Sequence, residues 1–197
     1  MKWLLLVLFA WQGMAAVVRG RETMQEAASI ARRLVRDEGI GTLMSITNGA
    51  NVEGFDGFPF GSMDYFSDSC PSTGDLMNIK NYKYDRRVSF TVRKHSADPN
   101  FHPMNNARMT MFGTLRQVDD QQFDTVKECF LTKHPDAKLW APRGDSTFHD
   151  FHFYTFSVEK IYYIGGFGGL HYLGFLDMKT YRQAQPREDL SFHWQST

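Results

Sequence analysis

The clearest periodic signal lies in "TMQEAASIARRLVRDEG", Thr23 to Gly39. Met24, Ala27, Ala28, Ile30, Ala31, Leu34 and Val35 recur at spacings of three and four, which predicts a helix with one apolar face. Thr23 and Glu26 have the spacing of a capping box, and Gly39 is read as the stop. Arg32, Arg33 and Arg36 are assigned to the opposite, solvated side. A second helix is predicted in "QQFDTVKECFLTKHP", where Phe123, Val126, Cys129 and Phe130 share a face and Pro135 ends it. "MKTYRQAQ" predicts a short final helix.

Between the helices the period falls to two. "GTLMSIT", "SMDYFSD", "RRVSFTVRK", "ARMTMFGTLRQVDD", "FHDFHFYTFSVEKIYYIGG" and "LHYLGFLD" read as strands, with Gly113 as a bulge or bend. "NGANVEGFDGFPFG" reads as turn-rich, with Pro59 inside it, and "LMNIKNYKYD" stays open between strand and loop. Helix, strands, helix, strands, short helix is not an alternating βαβ order. It predicts a mostly β (α+β) antiparallel domain with helices at its edges, and a six-stranded barrel closes that many edge strands.

A length of 197 residues suits one domain, and 42% hydrophobic with 15% aromatic residues can fill its core. Zero formal net charge gives no bulk attraction to nucleic acid or to an acidic membrane. The N-terminus changes the picture. Lys2, the apolar run Trp3–Trp11 and the small residues Gly13-Met14-Ala15-Ala16 have the layout of a secretory signal peptide over residues 1–16, cut near Ala15 or Ala16. The apolar run is about half the ~20 residues that span a bilayer, so no transmembrane segment is expected after its removal. Residues 22–183 then form the domain and 184–197 a polar tail. This route permits a Cys70–Cys129 disulfide, although sequence alone does not show that the two approach each other. The chain has no Asn-x-Ser/Thr sequon, so N-glycosylation is not expected.

The candidate chemistry is sparse. In "IYYIGGFGGLHYLG", Gly166-Phe167-Gly168 opens like a dinucleotide fingerprint, but His171 stands where a third glycine belongs and no helix follows. The stretch is therefore a strand-to-strand turn. His149 and His152 are three apart in a strand pattern and point to opposite faces, which argues against a shared metal. Arg143-Gly144-Asp145 is a receptor-type tripeptide, but three residues recur by chance and the stretch is read as a turn before the next strand.

Taken in order, "GFPFGSMDYFSD", "NYKYDRRVSFTV", "ARMTMFGTLRQVDD", "CFLTKHPDAKLW" and "FHDFHFYTFSVEKIYYIGGFGG" resemble the pyridoxamine-phosphate-oxidase-like, FMN-binding split-barrel superfamily. With a signal peptide, the chain resembles its CREG branch. That resemblance implies a six-stranded split barrel with flanking helices, a homodimer formed through a broad sheet surface, and a secreted, vacuolar or lysosomal location. In flavin-binding members FMN lies at the dimer interface. The matching cofactor positions here are Ser62, Asn78, Lys80, Asn81 and Arg87, with Phe167 of the glycine turn bordering the cleft or filling it. Asn78 replaces the serine usual in flavin-binding members, and no Thr or His lies between it and Asn81. The branch implies a non-catalytic binding or regulatory protein with a protein receptor as partner and no cofactor. An FMN-dependent oxidoreductase is the alternative, and no catalytic residue is named for it.

Overall fold

The computed structural model describes residues 21–47, 53–71, 74–80 (backbone only from 77), 86–142 and 152–188. The leader-like segment, Asn81, His149 and the Arg143-Gly144-Asp145 tripeptide lie outside them. Helix α1 spans Met24–Asp37, α2 Phe123–Lys133 and α3 Met178–Gln183. The strands are β1 Ile40–Ile46, β2 Pro59–Asp68, β3 Leu76–Lys80, β4 Arg87–Arg93, β5 Arg108–Gln117, β6 His152–Ile164 and β7 Leu173–Leu176.

All strand pairs are antiparallel, in the order β3-β2-β1-β4-β5-β6-β7, and β3 also pairs with β6. Six strands thus close on themselves, as the pattern predicted, and the short β7 is added to β6. β6 holds β5 along one edge and divides the other between β3 at residues 152–156 and β7 at 161–164. At Val158, in the gap between them, side chains replace the missing strand. Val158 N–H donates to Asp75 Oδ1 (2.8 Å), and Arg182 Nη2 donates to Val158 C=O (2.8 Å). An open ladder position inside the fold is thereby satisfied rather than left to cost desolvation energy.

The main core joins the inward residues of the strands, among them Leu43, Phe66, Phe90, Met111, Phe156 and Ile161, to α1 and to Tyr181 of α3. The capping box at Thr23 and Glu26 forms as the spacing predicted, and Ala27, Ala28, Ile30, Ala31, Leu34 and Val35 are buried. A second cluster seats Val126 and Phe130 of α2 on Phe153 of β6, outside the barrel. The register shift of the β5–β6 ladder falls at Phe112/Gly113, so the expected bulge is there.

Several expectations need correction. The second strand reaches back to Pro59, which pairs with Ile46 at the strand's first position, where a missing N–H is tolerated. "LMNIK" is a strand, because β2 and β6 both take up its backbone. α1 ends at Asp37 and is capped by an extended Glu38, while Gly39 is not in the left-handed region. Arg32 is not solvated: it is 4% exposed, faces Asp68 at 3.7 Å and lies over the Tyr181 ring at 5.5 Å. The disulfide that the sequence left open is present: Cys70, after β2, is bridged to Cys129 of α2, with Cα atoms 6.3 Å apart.

Candidate functional site

Antiparallel register places the sequence-predicted residues. Ser62 pairs with Leu43, which pairs with Phe90, so all three belong to the interior face. Ser62 Oγ donates to Asp64 Oδ2 at 2.9 Å. Arg87 is three positions from Phe90 in an unbroken strand and therefore belongs to the outer face, exposed. Asn78 and Lys80 stand opposite Tyr154 and His152 at the start of β6, whereas Phe167 lies beyond Ile164 at its end. Ten residues of strand between Tyr154 and Ile164 put about 30 Å between those ends. Ser62 and Arg87 thus lie on opposite sheet faces, and the backbone of Asn78 and Lys80 stands at the other end of β6 from Phe167.

What the register does gather is a band on the outer face built mainly of apolar and hydroxyl side chains. One transverse row reads Met63, Thr42, Thr91, Thr110, Tyr162, Phe175 across β2, β1, β4, β5, β6 and β7. The Thr91 and Thr110 hydroxyls at its centre bond each other at 3.2 Å. The next row reads Gly61, Met44, Ser89, Phe112, Lys160, and Lys160 lies over the Phe175 ring at 4.3 Å. Met63 is 77% exposed, and Ile46, Phe112 and Phe175 are exposed as well. Arg87 lies to one side of the two rows, Arg93 and Arg108 to the other. A sheet face that joins exposed apolar side chains and threonines within a charged rim has the composition of an interaction surface.

Two buried polar assemblies went unnoticed in the sequence. Glu22 is 3% exposed, and its carboxylate accepts from Tyr163 Oη (2.9 Å) and from the Tyr172 backbone N–H (2.8 Å), with His171 Nδ1 at 3.5 Å. Burial pushes the Glu22 carboxyl above its ordinary range and the Tyr163 phenol well above its own. A Cβ on Gly165 would collide with this carboxylate, and Gly168 takes φ 97°, so the glycine turn is shaped around an acidic group and not a phosphate. The other assembly surrounds His134, which is buried, stacks on Tyr65 (4.4 Å between centroids) and donates from Nε2 to the Phe66 carbonyl at 2.7 Å. Burial lowers its pKa. No group of three or more metal-ligating side chains occurs among the described residues.

Comparison with known proteins identifies the family. The family model described as "CREG, beta-barrel" matches residues 22–183, most of the chain. The chain belongs to the CREG β-barrel family. Protein CREG1 from Homo sapiens is 23% identical over 163 residues, covering 74% of this chain and 70% of that protein. Among solved structures, a heme binding protein from Mycobacterium smegmatis aligns with 81% of this chain at TM-score 0.64 and 20% identity. This chain spans 61% of that protein, under two thirds of it. The protein Atu2129 from Agrobacterium tumefaciens str. C58 aligns with 70% of this chain and 56% of its own length, at TM-score 0.55 and 16% identity. At these identities the likeness to the two solved structures is one of fold alone. No helix among the described residues of this CREG-family chain is long and apolar enough to cross a membrane.

Proposed function

We propose that this CREG-family chain is a non-catalytic binding protein of the secretory pathway that acts as a homodimer through the outer sheet face. The row from Met63 to Phe175 carries the reading. Across six strands, the two rows together with the flanking rows that carry Arg87, Arg93 and Arg108 span roughly 24 by 20 Å, or about 500 Å² before side-chain relief is added. A stable interface buries about 800 Å² per partner, so this flat band alone supplies more than half of it. The leader-like residues 1–16 and the Cys70–Cys129 bridge support the secretory route, since such bridges persist in oxidising compartments. Sedimentation or light scattering tests the assembly: the parent gives the mass of two chains, and Met63→Asp gives one. A monomeric parent overturns the homodimer.

The FMN alternative finds less support. A flavin phosphate needs convergent cations and donors, yet the Ser62 hydroxyl is turned to the Asp64 carboxylate and Arg87 is on the other face. Ser62 and Arg87, as placed, support the binding reading over the flavin one. The heme binding neighbour shows that the fold can house a ligand in that protein, which leaves a different ligand compatible with the binding reading. A visible absorption spectrum decides: a colourless protein is expected, and stoichiometric flavin would reverse the assignment.

A further inference from the structure

The β6–β7 turn and the loop beside it expose apolar side chains that the core does not use. Phe167 is 69% exposed, Leu170 61% and Met104 55%, and Leu173 at the start of β7 is exposed next to them. Met104 belongs to the loop before β5, and that loop touches the turn closely: a Cβ on Gly166 would stand 2.9 Å from the Asn105 carbonyl oxygen. The turn is firmly held from within. Glu22 N–H donates to the Leu170 carbonyl (2.8 Å), Gly165 N–H to the Tyr172 carbonyl (2.9 Å), and the Glu22 carboxylate takes Tyr172 N–H and Tyr163 Oη. Phe167 and Leu170 are therefore presented on a tied scaffold.

Cations surround this tip. Arg21 directly precedes Glu22 and is exposed beside Leu170. Arg93 pairs with Arg108, and Arg108 with Ile164, three residues before Phe167. Lys94 follows, its N–H donating to the Ala107 carbonyl at 3.3 Å. The carboxylates facing the same segments are Glu22, buried beneath the turn, Asp98, which accepts from Asn100 N–H at 2.9 Å, and Glu38, which is paired with His95 at 2.9 Å. Bulk net charge is zero, so any attraction to an anionic surface arises from this local excess.

We propose that this tip docks on an anionic lipid surface, with Phe167, Leu170 and Met104 entering the headgroup region and Arg21, Arg93 and Lys94 meeting the headgroup charge. Exposed aromatic and aliphatic side chains partition into that layer, and nearby cations add attraction that salt weakens. Arg93 also rims the outer sheet face, so Arg21 and Lys94 are the cations that distinguish this docking from the pairing of that face with a second copy.

Vesicle co-sedimentation of the protein purified from secreting cells tests it, with vesicles of pure phosphatidylcholine and vesicles containing about a third phosphatidylserine. Binding to the anionic vesicles is expected to exceed binding to the neutral ones by about tenfold and to fall with added salt. Phe167→Ser with Leu170→Ser is expected to weaken it by about tenfold while keeping the parent's melting temperature and mass. Arg21→Glu with Lys94→Glu, which alters no core residue, is expected to erase the preference for anionic vesicles. Equal binding to both vesicle types, no binding to either, or unchanged binding by the serine variant overturns the proposal. So does a serine variant of half the parent's mass, which would assign the tip to self-association.

Discussion

Replacing both Cys70 and Cys129 with alanine should destabilise the domain strongly without altering its native structure. The bridge joins residues 59 apart in sequence, and the loop it closes contains β3, β4 and β5, half of the closed barrel. Closing a loop of that length removes about 14 cal/mol/K from the unfolded chain, about 4 kcal/mol at room temperature. The native state loses little. α2 stays seated through Val126 and Phe130 against Phe153, and through His134 on Tyr65 and the Phe66 carbonyl, while Cys129 is only partly buried at the edge of that cluster. For a domain of this size each kcal/mol moves the midpoint by about 2–4 °C, so a fall of roughly 8–15 °C is expected. Circular dichroism melts of the parent, the reduced parent and the double variant measure it, with native spectra expected to superimpose. A fall below about 3 °C would refute the loop-entropy reasoning, and two titratable thiols in parent secreted under oxidising conditions would refute the bridge itself.

Three further perturbations probe the buried polar groups. Glu22 has a folded pKa raised above its ordinary 4.5, so its contribution is full below that value and is lost as pH rises through the folded one; urea melts should show the parent gaining on Glu22→Gln as pH falls from neutral towards 4.5. His134 is shifted down from 6.5, so its contribution is present above 6.5 and is lost as pH falls through the lower folded value; His134→Gln should lack that acid loss, and be weaker at neutral pH by about 1 kcal/mol for the missing stack on Tyr65. Arg32→Ala should cost about 3 kcal/mol in denaturant melts, because it leaves Asp68 without its buried cation and Tyr181 without the guanidinium above it.

Where structure depends on near neighbours in sequence, the chain was legible. The capping box, the apolar stripe of α1, the face of α2 and the bulge at Gly113 are all encoded within a few residues and appear as read. Arg32 was misread although a local signal existed: it lies four residues after the buried Ala28 and three before the buried Val35, inside the stripe and not opposite it. Barrel closure is different in kind. β3 has only five residues and an ambiguous composition, and it becomes a strand because β2, just before it, takes one edge and β6, which starts at His152, takes the other. Glu22 carries no local mark at all. Its partners Tyr163 and Tyr172 come roughly 140 and 150 positions later, so Gly165 looked like a turn residue when its task is also to leave room for a carboxylate.

The cofactor question follows from where this fold spends its polar groups. A phosphate site on a split barrel requires charged donors left pointing at an open cleft. Here Arg32 is turned inward to Asp68 and Tyr181, Asp68 Oδ1 accepts the Gly74 N–H, and Tyr181 Oη donates to the Gly74 carbonyl. Asp75 and Arg182 close the gap at Val158, and Ser62 is directed to Asp64. Each of these groups ties a helix, a turn or a strand edge to the barrel, and the ties of Arg32, Arg182, Tyr181 and Ser62 engage donors while those of Asp68 and Asp75 place negative charge beside them. The outer sheet face makes no such demand: it needs no convergent charge, only a rigid backing, and the inward ties supply that rigidity. In the function proposed above, the sheet face is therefore the surface that recognises a partner, and these inward ties are what hold it rigid.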